Sequence, residues 1–261
     1  MFRQTAILAA LLVLVGWTLA DGGRQAEGVV TVSAAISLSD ALGDVADAYA
    51  AAGGGPVRFN FAGSNVLARQ IVNGAPVDVF LSADERQMDL VERAGLLQSG
   101  SRRIVLENRL ALVALPARAD AVREAFARAG PAIRRLAMGD PAAVPAGVYA
   151  REYLERRGLW RAYAGRIIPT GNVRAALAAV ENGSADAAIV YVTDVLPSRA
   201  SRIVVTIPRE QTPAIRYPGA LVARRDTAFA AERFLSFLGS DEAGAIFVKH
   251  GFLLPSSQAV E

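Results

Sequence analysis

The chain of 261 residues contains no cysteine, and it has one histidine and one lysine, His250 and Lys249. Without cysteine, a disulfide scaffold, a thiol nucleophile and a cysteine-bound zinc site are excluded. The remaining positive charge is arginine, and it alternates with acidic residues along the chain. Because nucleic-acid-binding proteins concentrate basic residues in one patch or stripe, we expect no nucleic-acid partner.

Common catalytic signatures are missing as well. The sequence has no Gly-x-Ser-x-Gly elbow, no Ser-x-x-Lys pair, no phosphate-binding loop and no dinucleotide fingerprint. His250 lies at the end of a predicted C-terminal helix, where a cation commonly stabilises the helix dipole. Three aspartates near strand ends are interpreted as structural or capping residues: Asp78, Asp84 and Asp140. We therefore predict a protein that is not an enzyme, with a secreted hydrolase using Ser37 or Ser64 as the remote alternative.

The N-terminus has the pattern of a secretory signal peptide. Arg3 gives a positive start, an apolar run covers 6–15, and small residues follow up to Ala20. We expect residues 1–20 to be removed near Ala20, or alternatively near Ala26. The apolar run is shorter than the roughly 20 residues of a membrane-spanning helix, which disfavours a membrane anchor. The mature protein is therefore predicted to be periplasmic and free of a lipid anchor.

Strands and helices alternate through the rest of the chain. β-branched or apolar runs at 29–32, 57–61 and 77–81 alternate with helical periodicity at 38–49, 66–72 and 86–94. The same alternation resumes at 110–115 and continues to two C-terminal helices. This order predicts an α/β fold with mostly parallel sheets and helices on both faces. Two such repeats without a linker predict two lobes whose chain crosses between them more than once.

Several strand-to-helix junctions are rich in small and hydroxyl residues. They occupy 34–40, 61–65, 139–147 and 169–173. In open α/β sheets these junctions lie at the carboxyl ends of the strands, where ligands bind. Each helix start also exposes unpaired N–H groups that favour an anion. The simpler alternative is that each serine only caps its own helix, with Ser37 and Asp40 imitating a capping box.

A series of motifs runs along the whole mature chain, at residues 31–38, 61–71, 73–84, 139–141, 144–150, 172–177, 189–194, 217–218 and 251–252. These stretches resemble the periplasmic molybdate-binding proteins of ABC transporters. Taken together and in this order they are specific. The sequence departs from the family at Gly63 and Asn65, where serines are common, and at Val192-Thr193, which replaces a usual Gly-Ser.

The resemblance implies a type II periplasmic binding protein with a ligand cleft between two lobes. The expected boundaries are 27–107 with 208–261 for lobe I and 108–207 for lobe II. It also implies an oxyanion site of five neutral groups: Ser37, Ser64, Ala146, Val173 and Tyr191. The serines would donate hydroxyl and backbone N–H groups, Ala146 and Val173 their backbone N–H groups, and Tyr191 its phenol.

The resemblance implies high-affinity molybdate binding, with tungstate as a second ligand, and delivery to the permease and ATPase of an ABC transporter. The same fold with sulfate or another small anion is the alternative. We expect a monomer without a cofactor and without protein ligands to a metal. Molybdate is a proton-free dianion near neutral pH, so a site built only from donors suits it.

Overall fold

The structure is a computed structural model, and it describes residues 28–223 and 229–255. The predicted signal peptide lies outside the described residues. No helix in these two ranges is long and apolar enough to cross a membrane.

The described residues form ten strands. These are β1 Val30–Ala35, β2 Val57–Ala62, β3 Val79–Leu81, β4 Arg103–Asn108, β5 Leu110–Ala114, β6 Leu136–Gly139, β7 Ile167–Thr170, β8 Ala187–Tyr191, β9 Arg202–Thr206 and β10 Ile215–Leu221. The helices within the same ranges are α1 Ser39–Ala51, α2 Ser64–Val72, α3 Glu85–Arg93, α4 Ala119–Phe126, α5 Pro145–Arg156, α6 Trp160–Tyr163, α7 Val173–Glu181, α8 Val192–Val195, α9 Phe229–Phe237 and α10 Asp241–Lys249.

The strands form two five-stranded sheets, and the predicted α/β fold with two lobes is confirmed. The first sheet has the order β2-β1-β3-β10-β4, and the second has the order β7-β6-β8-β5-β9. The chain passes from the first sheet to the second between Asn108 and Leu110, and it returns between Thr206 and Ile215. We propose the lobe boundaries 107/108 and 207/208: the second lies within the return crossing, and the first lies one residue before the end of β4.

The prediction of mostly parallel sheets is confirmed for strand direction, since four of the five strands in each sheet run the same way, but each sheet is mixed because one strand is reversed. In the first sheet β10 runs antiparallel to β3 and β4, and in the second β5 runs antiparallel to β8 and β9. The other pairings are parallel. The two reversed strands are the ones by which the chain enters each sheet from the other lobe. Since the parallel strands end at the junction of the lobes, a strand that enters from that junction must run the opposite way.

Burial follows the position of each strand in its sheet. All five residues of the interior strand β5, which lies between β8 and β9, are buried, which explains its uninterrupted apolar sequence. The edge strand β2 alternates between exposed and half-buried residues over its first four positions. Residues at or just after the carboxyl ends of β1, β2 and β3 and of β6, β7 and β8 line one cavity between the sheets.

Candidate functional site

One cavity lies where the strand ends of the two lobes meet, and all five predicted residues line it: Ser37, Ser64, Ala146, Val173 and Tyr191. The volume of the cavity is about 20 Å3. Ligand pockets for drug-sized molecules are typically about 300–1,000 Å3. In this arrangement of the lobes the cavity therefore suits one small ion and excludes a sugar or a peptide.

Ser64 is the first residue of α2, and its hydroxyl is already engaged as an acceptor. The preceding residue, Gly63, is the N-cap of the helix and has no side chain that could cap it. The Ser64 Oγ accepts a hydrogen bond from the Ala83 backbone N–H at 2.9 Å. Because an N–H group can only donate, the Ser64 hydroxyl hydrogen is left to point elsewhere, and the residue lines the cavity.

Ser37 lies in a short 3₁₀ turn between β1 and α1, and it does not cap the helix. The N-cap of α1 is Leu38, with no side-chain hydrogen bond, so the alternative of a capping box formed by Ser37 and Asp40 is wrong. The Ser37 Oγ lies 3.0 Å from the hydroxyl of Tyr217 instead. The serine is 3% exposed, so the structure buries this hydroxyl for a contact with another strand.

Ala146 is the second residue of α5, and the helix start is fixed by close backbone packing. Pro145 occupies the first position, where its missing N–H costs no hydrogen bond. Gly147 follows, and a Cβ at that position would lie 1.8 Å from the carbonyl oxygen of Gly139 at the end of β6. Only glycine fits there, so the start of α5 and the Ala146 N–H are held tightly against the strand end.

Val173 is the first residue of α7, and the side chain that caps this helix does not use the Val173 N–H group. The Asn172 side chain accepts from the Ala175 N–H at 2.9 Å, two residues further along than Val173. The first N–H of a helix has no intrahelical acceptor. The Val173 N–H is therefore available at the cavity that this residue lines.

Tyr191 ends β8 and is 1% exposed. Its hydroxyl is buried and has no hydrogen-bond partner among the described residues. Burial raises the pKa of Tyr191 well above its ordinary value, so the phenol keeps its proton. A buried hydroxyl without a partner costs free energy, and in this cavity it is suited to donate to a ligand.

The cavity is uncharged, and the arginine that follows one of its lining residues in sequence is paired with two carboxylates. None of the thirteen lining residues that the structure describes carries a charge. Arg174, which follows Val173, donates from Nε to Asp194 and from Nη2 to Asp40, both at 2.7 Å. Burial raises the pKa of Asp194 to about 6 although Arg174 opposes the shift. An anion in this cavity would therefore be held by hydrogen bonds from neutral groups.

Two residues around the site were missed by the sequence reasoning. Asn108 donates from Nδ2 to the hydroxyl of Tyr217 at 3.2 Å, and Tyr217 contacts Ser37. Tyr217 lies in a stretch that supports the family resemblance, but no role was assigned to it. Asn108 ends β4, a strand that the sequence reasoning did not predict, so no signal pointed to it.

Two α/β lobes that enclose a small, neutral cavity at their junction define a solute-binding protein. A family model of bacterial extracellular solute-binding proteins matches residues 30–253. The chain belongs to this family, and the resemblance found in its motifs is confirmed.

Named relatives agree with this assignment. The chain is 36% identical to the molybdate-binding protein ModA of Escherichia coli, over 91% of this chain and 94% of the relative. It is 37% identical to ModA of Haemophilus influenzae, over 97% of this chain and 99% of the relative. Among solved structures, the periplasmic molybdate-binding protein of Azotobacter vinelandii superposes with a TM-score of 0.78 and 26% identity, covering 87% of this chain and all of that one.

Family membership argues against the hydrolase alternative, and it confirms the prediction that the protein is not an enzyme. The geometry agrees with it. The imidazole of His250 lies 2.8 Å from Asp44 Oδ2, while the described contacts of Ser37 and Ser64 are to Tyr217 and Ala83.

Proposed function

We propose that this protein binds molybdate between its lobes and delivers it to an ABC transporter for import. The ligand groups are the hydroxyl and N–H groups of Ser37 and Ser64, the N–H groups of Ala146 and Val173, and the phenol of Tyr191. The observation that carries the proposal is the convergence of these five residues, from both lobes, on one small uncharged cavity. The ModA relatives support molybdate as the ligand.

The chemistry of the groups fits a fully deprotonated ion. Every oxygen of molybdate is an acceptor, so the site needs donors and no acceptor. Monohydrogen phosphate carries a proton and favours a site with a carboxylate, and no carboxylate lines this cavity. Hydrogen bonds to charged groups contribute about 1.5–3 kcal/mol each. Roughly seven of them exceed the approximately 12 kcal/mol of a nanomolar complex, and the remainder offsets desolvation and lobe closure.

Selection among proton-free dianions then depends on size. Sulfate has the charge and shape of molybdate but shorter bonds, so it leaves longer, weaker hydrogen bonds in a rigid cavity of fixed dimensions. Tungstate is nearly the size of molybdate, and we expect it to bind comparably.

The transport role needs an exported, mobile protein. We propose that residues 1–20 direct export to the periplasm, and that the mature monomer opens and closes about the two chain crossings. The permease of the transporter and its ATPase would receive the closed, loaded form. Scattering in solution tests the motion: addition of molybdate should make the protein more compact, and an unchanged radius of gyration would contradict it.

Calorimetry with molybdate, tungstate, sulfate and phosphate tests the ligand. We expect dissociation constants below about 1 µM for molybdate and tungstate, and weak or undetectable binding of sulfate and phosphate. Sub-micromolar binding of sulfate without binding of molybdate would refute the proposal in favour of the sulfate alternative.

A further inference from the structure

Ser37 is held by a chain of hydrogen bonds that begins where the polypeptide crosses between the lobes. Asn108 is the last residue of β4, and its side chain accepts from the Arg109 N–H through Oδ1 at 2.8 Å. Its Nδ2 donates to the Tyr217 hydroxyl at 3.2 Å. The Tyr217 hydroxyl in turn lies 3.0 Å from the Ser37 Oγ, and all three side chains are buried.

The direction of the first hydrogen bonds in this chain follows from the Asn108 amide. A backbone N–H can only donate, so the atom of Asn108 that faces Arg109 is the oxygen, and the other end of the amide is the NH2 group. That group can only donate, and it meets two hydroxyls, those of Tyr217 and of Thr193 at 2.9 Å. Tyr217 therefore accepts from Asn108 and has one hydrogen to give.

The Ser37 Oγ lies within hydrogen-bond distance of the Tyr217 hydroxyl, and we assign that hydrogen to it. Burial raises the pKa of Tyr217 far above its ordinary value, so the phenol remains protonated. Its hydrogen bond goes to the Ser37 Oγ, which then acts as the acceptor. The hydrogen of Ser37 is left to point into the cavity that the residue lines.

We propose that Asn108 and Tyr217 are positioning residues that hold the Ser37 hydroxyl as a donor, so that this corner of the site selects proton-free oxyanions over monohydrogen phosphate. The inference rests on the proposed function and deepens it. At Ser64 the equivalent orientation comes from the Ala83 backbone N–H, which no side-chain substitution removes. Ser37 is therefore the serine whose hydroxyl can be turned from a donor into an acceptor by a side-chain substitution elsewhere.

The substitution Asn108→Asp tests the proposal. The introduced carboxylate still accepts from the Arg109 N–H, but it cannot donate to Tyr217. Tyr217 then donates to that carboxylate, Ser37 donates to Tyr217, and a lone pair of Ser37 faces the cavity. At pH 8, where the three ligands are dianions, we expect the affinity for phosphate relative to molybdate to rise by about tenfold or more. The ratio of sulfate to molybdate, neither of which carries a proton, should stay within about twofold.

The two affinity ratios distinguish a reversal of the Ser37 hydroxyl from the effect of the added negative charge. The added negative charge weakens binding of all three dianions alike, so an equal loss for all three would overturn the role of Asn108. The proposed molybdate function would stand in that case, because it is tested by wild-type binding alone. If the wild-type protein does not bind molybdate, the proposed function itself is rejected.

Two further variants keep the test decisive if Asn108→Asp does not fold. Tyr217→Phe removes the donor to Ser37 and lets its hydroxyl turn, so the phosphate-to-molybdate ratio should rise by about threefold or more. Thr193→Val removes the other hydroxyl that Asn108 meets and leaves the Tyr217–Ser37 contact in place, so the ratio should not change. Equal ratios in Tyr217→Phe and Thr193→Val would contradict the proposal.

Discussion

The two lobes contribute different kinds of donor to the same cavity. Lobe I contributes two serines, and each hydroxyl oxygen already has a partner within its own lobe, Tyr217 for Ser37 and Ala83 for Ser64. Lobe II contributes the starts of two helices and one phenol without a partner among the described residues. Lobe I therefore has donors oriented before a ligand arrives, whereas the phenol of lobe II gains its partner only with the ligand.

This difference predicts which substitutions affect folding and which affect binding. A backbone N–H cannot be deleted by changing its own side chain, so the helix starts of lobe II are sensitive to packing. A hydroxyl can be deleted, and the result depends on whether a protein group loses its partner as well.

Gly147→Ala should have the largest effect. The new Cβ would lie 1.8 Å from the Gly139 carbonyl oxygen and 2.7 Å from that of Asp140, so the start of α5 must move. We expect the free energy of unfolding to fall by about 3 kcal/mol or more, with loss of molybdate binding. Urea denaturation and calorimetry measure both.

Gly43→Ala is the matched control: this exposed glycine in α1 has open space around it, and the change should stabilise the protein by up to about 1 kcal/mol. Equal stability of the two variants would show that α5 is not fixed at Gly147.

Tyr191→Phe should weaken molybdate binding by about 1–3 kcal/mol without lowering stability. Its hydroxyl has no partner among the described residues, so the unliganded protein loses nothing. Tyr163→Phe is the converse control in the same lobe, because that hydroxyl donates to the Phe126 carbonyl oxygen at 3.0 Å. It should lower stability by about 1 kcal/mol and leave the affinity unchanged. An unchanged affinity in Tyr191→Phe would place this residue outside the binding site.

Ser64→Ala and Ser37→Ala should both weaken binding, but they should differ in stability. Removal of the Ser64 hydroxyl leaves the fixed Ala83 N–H without its acceptor. Removal of the Ser37 hydroxyl also takes an acceptor away, from Tyr217, but the Tyr217 hydroxyl can rotate and keeps its bond from Asn108. We expect Ser64→Ala to be the less stable of the two by about 1 kcal/mol, measured by urea denaturation without ligand. The reverse order would contradict the orientation that we assign to Ser64.

Asp40→Asn should have the smallest effect. The Asp40–Arg174 ion pair joins the two lobes, and Asp40 is 43% exposed, so the pair contributes at most about 1 kcal/mol. We expect molybdate to dissociate about two- to fivefold faster in stopped-flow experiments. Glu155→Gln is the control, because it breaks the similarly exposed Arg151–Glu155 pair within α5. Equal rates in the two variants would show that the ion pair does not hold the lobes together.

Much of the fold could be predicted because most elements carry their own signal. The run predicted as a helix at 173–181 coincides with α7, and the continuous apolar run at 110–115 becomes the buried strand β5. Strand β4 was missed because its last residues, Glu107 and Asn108, are polar yet buried. Their partners, Arg209 and Tyr217, lie more than a hundred residues further along the chain. No local pattern could indicate those contacts.

The site could be predicted only in part for the same reason. The structure brings all five predicted residues to one cavity, and their binding of an anion stays a prediction. The resemblance located them through local motifs at strand ends. The orientation of Ser37 depends on Tyr217, 180 residues away, and the neutralisation of Arg174 depends on Asp40, 134 residues away. Contacts across such distances follow from the folded topology, which sequence periodicity does not encode.

A crystal of the protein grown with molybdate, with anomalous diffraction recorded at the molybdenum absorption edge, tests the central claim most directly. Our account predicts a single molybdenum peak between the lobes, with oxygens of the ion within hydrogen-bond distance of the two serine hydroxyls, the two helix-start N–H groups and the phenol. A peak elsewhere on the molecule, or contacts from one lobe alone, would contradict it.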